Sequence, residues 1–307
     1  MEVYDDIARL PKGRAQGEIT EGCLVLEGGG WRGIYTQGAL DALMEEGILF
    51  ETVVGVSAGA MGAIGYLSGQ IGFCARINLT HRHDSRYCGL MAGRTDHTVT
   101  GFTYLFHDLC QAYDFDRERF YDPRRHFFVE VTNMETGKPE FMSREEGDVF
   151  QAIRASASLP FVSEPVLIGE HHYLDGGCSV KVPYDWPYEQ GFKRVIVIRT
   201  KDKKYRRKIK KSDRKSLADI VYRKYPAFEE SLSKVNEEYN EMCVRSEKDF
   251  KEGKCFILYP SKPVKVHRLE RDMNKLGELY WLGYEDMKRE MPNLKEYLEK
   301  HPEEKKW

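Results

Sequence analysis

Two strand–turn–helix units within about fifty residues constrain this chain more than any other feature of its sequence. Cys23-Leu24-Val25-Leu26 is a short apolar run of the kind that forms a buried strand, and Gly28-Gly29-Gly30 ends it. Apolar residues at Ile34, Tyr35, Ala39, Leu40, Leu43 and Met44 then recur at helical spacing until Gly47. Thr52 to Val56 repeats the buried-strand pattern, stops at Ser57, and leads through small residues into a helix over 61–67. Strand, turn and helix, twice over, predict a parallel α/β sheet with ligands at the carboxyl ends of its strands.

Later segments extend the pattern. Residues 127–131 and 194–198 read as further buried strands, and 148–155 as a short helix before Ser158-Leu159-Pro160. Tyr173-Leu174 runs into the turn Asp175-Gly176-Gly177. From 70 to 125 the periodicity weakens into scattered His, Arg and aromatic residues. Beyond 216, Phe228, Leu232, Val235, Tyr239, Met242 and Phe250 mark an amphipathic helix. Residues 256–259 read as a strand, and 272–291 as a helix that Pro292 interrupts. The expected division is a lead-in over 1–21, an α/β domain over 22–200, a basic loop over 201–215, and an α-rich extension over 216–307 packed on that domain.

Composition narrows the function classes. With 307 residues, 41% of them apolar and 31% charged, the chain can build a sizeable core and is too balanced for disorder. A net charge of −2 gives no global basic field for nucleic acid. The first residues lack the apolar stretch of a signal peptide, and no apolar run approaches the ~20 residues of a membrane span. Seven cysteines without a C-x-x-C pair argue against a zinc ribbon or a disulfide scaffold. No cluster of His, Cys or carboxylates has metal-ligand spacing. A cytoplasmic protein is expected.

Three turns carry the chemistry. Gly55-Val56-Ser57-Ala58-Gly59 lies between a β-branched strand and a small-residue helix, the context in which G-x-S-x-G forms a nucleophile elbow. Its glycines relieve crowding so that a serine hydroxyl projects above the sheet; the plainer role for Ser57 is to cap the helix. Gly28, Gly30 and Gly33 spell G-x-G-x-x-G after a strand, which suits a dinucleotide. That fingerprint wants an acid at the end of the next strand, where this chain has Ser57; Glu51 precedes the strand instead. The same glycines, with Gly29, can turn backbone N–H groups toward the oxyanion of a tetrahedral intermediate. Arg32 either holds that loop, attracts an anionic substrate, or is an exposed helix-start arginine. Asp175-Gly176-Gly177 is by itself a turn signal. A nucleophilic serine needs a proton acceptor, however, and Asp175 is the candidate.

In this order, GGGWRG, GVSAG and DGG resemble the motifs of the patatin-like phospholipases. Supporting matches lie at Ala152-Ile153-Arg154-Ala155-Ser156, Leu159-Pro160, Pro165-Val166 and Tyr173-Leu174. The resemblance covers roughly residues 22–200 and continues more loosely into an extension like that of some bacterial members. It implies a three-layer α/β/α fold with a mainly parallel central sheet. It also implies a Ser–Asp dyad, without cofactor or metal, that hydrolyses acyl esters of lipids in lipid degradation. Carried over, Ser57 is the nucleophile and Asp175 the general base. Gly28, Gly29, Gly30 and Gly33 form the oxyanion loop, with Arg32, Gly55, Gly59, Gly176 and Gly177 in support. Many members open the first motif with Asp, where this chain has Glu27; the backbone amides do the work, so catalysis is expected to survive.

A Ser–Asp dyad has a physical consequence. An aspartate with a pKa near ~3.9 is a poor base for a hydroxyl unless a dry pocket raises it. A histidine would avoid the problem, but His171 and His172 directly precede Asp175, and His267 and His301 lack motif context. The run 199–215 holds eleven Lys/Arg and two Asp. It is read either as a dock for anionic membrane, at about 1 kcal/mol per basic residue, or as a solvated loop. Phe102-Thr103-Tyr104-Leu105-Phe106 is either acyl-pocket lining or local core, and Cys178 an inert buried thiol. Two other classes stay open: a silent lipid- or nucleotide-binding α/β module, and a histidine-dependent α/β hydrolase.

Overall fold

Neighbouring residues of the central strands point to opposite faces, and both sets are apolar, as a sheet buried on two sides requires. The computed structural model describes residues 2–209 and 217–301. Its main strands are β1 (Ile19–Leu26), β2 (Leu49–Val56), β3 (His126–Asn133), β4 (Pro139–Ser143), β5 (Val166–Ile168), β6 (His171–Asp175), β7 (Val195–Ile198) and β8 (Phe256–Leu258). The main helices are α1 (Ile34–Glu45), α2 (Ala58–Leu67), α3 (Phe73–His81), α4 (Val149–Ser156), α5 (Pro226–Lys251) and α6 (Met273–Lys300). Leu24 and Leu26 share a core with α1, α2, α3 and α6. Cys23 and Val25 face Val182, Tyr184, Trp186 and the Tyr239–Met242 stretch of α5. The result is a three-layer α/β/α fold with a mainly parallel sheet.

The strands β8, β7, β1, β2 and β3 run parallel in that order. Phe128 pairs with both Val54 and Ser143, and Val131 pairs with both Glu140 and Asp175. One edge of β3 therefore belongs to the antiparallel β4, while β2 and the antiparallel β6 share the other end to end. β2 stops at Val56, opposite Glu130, and β6 stops at Asp175, opposite the next residue, Val131. β5 completes a hairpin with β6.

The C-terminal part joins this framework on several sides. β8 supplies an edge strand, and α6 lies against α1. Tyr35 of α1 donates to Asp286 of α6 at 3.1 Å, and Tyr280 of α6 donates to Asp41 of α1 at 2.7 Å. The two backbones touch at glycines: a β-carbon at Gly283 would collide with the Tyr35 carbonyl, and one at Gly38 with that of Tyr280.

The structure corrects several sequence readings. Pro292 does not interrupt α6, which continues to Lys300. The ring costs a backbone hydrogen bond, but Met291, Leu294 and Tyr297 are buried and anchor the last turns. The weakly patterned region holds α3, whose buried Phe73, Ala75, Ile77 and Leu79 alternate as in a strand. Packing of α3 against α1, α2 and α6 on different sides removes the single apolar stripe of an amphipathic helix. The lead-in takes part in the fold: Tyr4, Leu10 and Ala15 are buried, Gly13–Arg14 pairs with Gln70–Ile71, and β1 already starts at Ile19. Among the described residues, no disulfide joins any of the seven cysteines. Among the described residues, no helix is long and apolar enough to cross a membrane.

Gly283→Ala should therefore force α1 and α6 apart, at a cost of about 1–3 kcal/mol. A thermal melt should show a midpoint lowered by several degrees; an unchanged midpoint would mean that the helices do not need this contact.

Candidate active site

The head-on meeting of β2 and β6 puts Ser57 directly opposite Asp175. Ser57 Oγ donates to Asp175 Oδ2 at 2.8 Å, and both residues are buried. Ser57 sits at φ 53° and ψ −120°, a strained conformation for a non-glycine residue and the mark of a sharp strand-to-helix elbow. Its side chain makes no capping bond to α2, so the hydroxyl is directed at the carboxylate. Gly59 admits this turn against β1, since a β-carbon there would collide with the Leu26 carbonyl.

The end of α4 stitches the two strand ends together. Ser156 Oγ accepts the Ser57 N–H at 2.8 Å and donates to the Glu130 carbonyl at 2.6 Å. The Ser158 carbonyl accepts the Asp175 N–H at 2.9 Å. Thr132 Oγ1 donates to the Asp175 carbonyl at 2.9 Å, and Gly177 N–H donates to Asp175 Oδ1 at 2.8 Å. Gly176 passes so close to Glu130 that a β-carbon would strike its carbonyl, and Gly55 lies equally close to Ala60.

Burial raises the pKa of Asp175, while the Ser57 hydroxyl, Arg268, the Gly177 amide and Lys181 pull it back; the net direction is upward. Glu130, fully buried beside it with no described partner for either carboxyl oxygen, is raised well above its ordinary range by burial and by Asp175. Cys178 is likewise pushed up by burial and Asp175, which leaves an unreactive thiol.

The glycine loop lies over Ser57. A β-carbon at Gly28 would stand 2.9 Å from Val56 Cγ1 and 3.2 Å from Ser57 Cβ, so only glycine fits. Gly28, Gly29 and Gly30 line the cavity that contains Ser57 and Asp175, and no acceptor among the described residues takes their N–H groups. Gly33 stands apart. It packs on Ala58 and lines neither cavity at Ser57.

Glu27 is buried and holds this loop. It accepts from Arg199 Nε at 3.2 Å, Thr200 N–H at 2.5 Å and Tyr239 OH at 3.2 Å. Arg32 is not an exposed helix-start residue: its Nε is buried without a described partner, and burial with nearby Arg268 lowers its pKa.

Two cavities meet at Ser57. One, of about 260 Å³, is lined by Asp175, Lys181, Arg207 and Arg268 beside the glycine loop. The other is a narrow slot of about 70 Å³ with mainly apolar walls: Trp31, Ile34, Met61, Tyr87, Leu159 and Leu269. Through Gln37, Met61, Asn78 and Tyr87 it adjoins an inner apolar chamber that reaches Leu105 and Ile77. Of the aromatic segment 102–106, Leu105 thus contributes, while Phe106 packs against Phe150 at 4.7 Å as local core. Neither cavity at Ser57 is lined by a histidine. His171 and His172 face Glu135, and His301 contacts the Tyr297 carbonyl.

The basic run is not one solvated loop. Arg199 and Lys201 are buried, and Arg207 lines the polar cavity; residues 210–215 lie outside the described residues. Residues that the sequence alone did not single out include Ser158, Lys181 and Arg268. Arg268 had no local signal, being a lone arginine in a loop of the extension.

Much of the chain is similar to known proteins. The family profile of patatin-like phospholipase matches residues 24–185, just over half of the chain, and a domain of unknown function (DUF6363) matches 225–299. An uncharacterized Escherichia coli K12 protein, YjjU, is 26% identical over 182 residues, 58% of this chain and 51% of that protein. A lysophospholipase of Emericella nidulans is 30% identical over 182 residues, 57% of this chain and 11% of that protein. An uncharacterized NTE family protein of Mycobacterium tuberculosis is 30% identical over 190 residues, covering 59% and 29%. The aligned part thus spans about half of the first relative and far less of the others. VipD of Legionella pneumophila superposes with a TM-score of 0.46 and 12% identity over 95% of this chain and 70% of that one.

Because its folded-state pKa is raised, Asp175 favours folding below its ordinary pKa and loses that contribution as pH rises through the folded value. Asp175→Asn should therefore stabilise the protein at pH 8 relative to its effect at pH 4. Urea melts at both pH values check this; an equal change at the two would contradict it.

Proposed function

The chain belongs to the patatin-like phospholipase family, and from that premise we propose that it is a serine acyl-ester hydrolase acting on lipids through a Ser57–Asp175 dyad. The observation that carries this reading is the 2.8 Å hydrogen bond between a strained, buried Ser57 and a carboxylate whose basicity burial raises.

Asp175 Oδ2 takes the Ser57 hydroxyl proton as Oγ attacks the ester carbonyl carbon. The carbonyl oxygen becomes the oxyanion and faces the backbone N–H groups of Gly28, Gly29 and Gly30. As the tetrahedral intermediate collapses, the C–O bond to the alcohol breaks and the alcohol leaves with the proton from Asp175. Water then attacks the acyl-serine and loses its proton to Asp175; the bond from the acyl carbon to Ser57 Oγ breaks, Oγ takes the proton back from Asp175, and the fatty acid departs. The apolar slot and its inner chamber take the acyl chain. No imidazole takes part, so the activity should rise with pH along one carboxylate ionisation, displaced upward from the ordinary aspartate range.

Incubation with a fluorophosphonate and peptide mapping test the dyad. One adduct on Ser57, lost in Asp175→Asn together with about 10²–10⁴-fold of turnover, is the expected result. A folded protein that stays unlabelled, with or without lipid vesicles, would turn the reading toward a silent binding module.

Exposed Phe161 and Val162 follow Pro160 of the polar cavity, exposed Leu269 lines the apolar slot, and Lys203, Lys204 and Lys208 are exposed in the segment that carries Arg207. Exposed apolar and basic groups in segments that also line the cavities suit a peripheral contact with anionic membrane. Replacing the three lysines with Gln should slow hydrolysis on anionic vesicles several-fold more than on zwitterionic ones. Equal slowing on both would remove the electrostatic contact.

A further inference from the structure

We propose that a hydrogen-bonded collar of Tyr87, Asn78 and Gln37 closes off the apolar slot and makes the protein selective for esters of short acyl groups, of about four or five carbons. This rests on the hydrolase reading above and narrows the acyl part of its substrate.

The collar stands where the slot at Ser57 meets the inner chamber. Gln37 on α1, Met61 on α2, Asn78 on α3 and Tyr87 line both spaces. Tyr87 OH donates to Asn78 Oδ1 at 2.5 Å, and Asn78 Nδ2 donates to Gln37 Oε1 at 3.1 Å. Three polar side chains thus cross a passage whose other walls are mainly apolar, with Ile34 and Leu159 on the Ser57 side and Ile64 and Leu105 beyond. Gln37 and Tyr87 are buried. An alkyl chain that pushes between them breaks hydrogen bonds it cannot replace, and buried polar groups left unpaired are costly.

The space on either side of the collar is small. The slot has about 70 Å³ and the chamber about 20 Å³. An apolar cavity of about 150 Å³ accommodates benzene, roughly 25 Å³ per carbon, so slot and chamber seat roughly three or four carbons beyond an ester carbonyl held at Ser57.

The walls are also pinned against widening. Buried Arg82 donates from Nε to the Glu270 carbonyl at 2.6 Å and from Nη2 to the Leu269 carbonyl at 3.2 Å. Its guanidinium lies 4.5 Å from the centre of the Trp31 ring, and Trp31 meets the Tyr87 ring edge-on at 6.3 Å. The outer wall of the slot is therefore packed against the collar itself. Phe73, Ile77 and Cys110, all buried, line the chamber behind it.

The test is a series of p-nitrophenyl esters from ethanoyl to decanoyl, each kept monomeric. In the wild type kcat/KM should rise about fourfold per added methylene up to the butanoyl or pentanoyl ester, then fall at least about tenfold by the decanoyl ester. Asn78→Ala removes the middle of the collar and joins slot to chamber, so the optimum should move to longer chains and the decanoyl-to-butanoyl ratio should rise several-fold. Tyr87→Phe keeps the ring against Trp31 and deletes one hydrogen bond; it should move the ratio the same way by less, and it carries the test if Asn78→Ala does not fold. A wild-type profile that climbs or stays level to the decanoyl ester, or variants that lower all esters equally, would overturn the proposal. A binding arm uses Ser57→Ala and calorimetry with straight-chain primary alcohols, so it holds even if no ester is cleaved. Affinity should stop climbing near pentanol, and should climb further once Asn78→Ala is added. An unbroken climb to decanol without that second change would overturn the collar whatever the fate of the hydrolase reading.

Discussion

One edge of β3 is shared end to end by two strands, and the geometry of the site follows from that sharing. A strand edge offers each backbone position to one neighbour, so β6 can pair only where β2 has stopped. The last paired residues, Val56 and Asp175, therefore face consecutive residues of β3, although the serine and the aspartate lie 118 residues apart in sequence. Ser156 and Ser158 close the seam by hydrogen-bonding the backbone at the ends of both strands. The 2.8 Å contact is thus set by main-chain pairing rather than by the adjustment of flexible side chains.

A second constraint is the buried Glu27–Arg199 pair. Removing two charges from water costs several kcal/mol per ion, and such a pair persists when its remaining lone pairs and protons are satisfied. Here the Thr200 amide and Tyr239 hydroxyl complete Glu27, and Tyr239 and Cys243 receive Arg199. Tyr239 belongs to α5, so the C-terminal part helps hold the glycine loop over Ser57. With α6 on α1 and β8 in the sheet, that part is a structural component of the site.

The readable portion of the sequence was the local portion. β1 and β2 announced themselves because both faces are buried and glycine-rich turns end them. The G-x-S-x-G elbow was legible because its crowding demands glycine within two residues of the serine. Non-local features left no such trace. Nothing near residue 268 says that an arginine there reaches Ser57 across the fold. The charge run read either as a membrane dock or as a solvated loop, because composition counts charges without saying that Arg199 turns inward to Glu27. Gly33 matched a pattern of oxyanion glycines, and nothing in the sequence announced that it also packs closely on Ala58. α3 was hidden because contacts on several sides gave its buried residues the period of a strand.

The environment of Asp175 joins these constraints into one electrostatic problem. Burial makes its carboxylate a better base, while Arg268 and Lys181 stabilise the charged form and make it a worse one. The upward shift that remains is the balance of the two. The basicity of Asp175 is therefore set jointly by the burial of the two strand ends and by an arginine that the C-terminal part brings to Ser57 from more than ninety residues away in sequence.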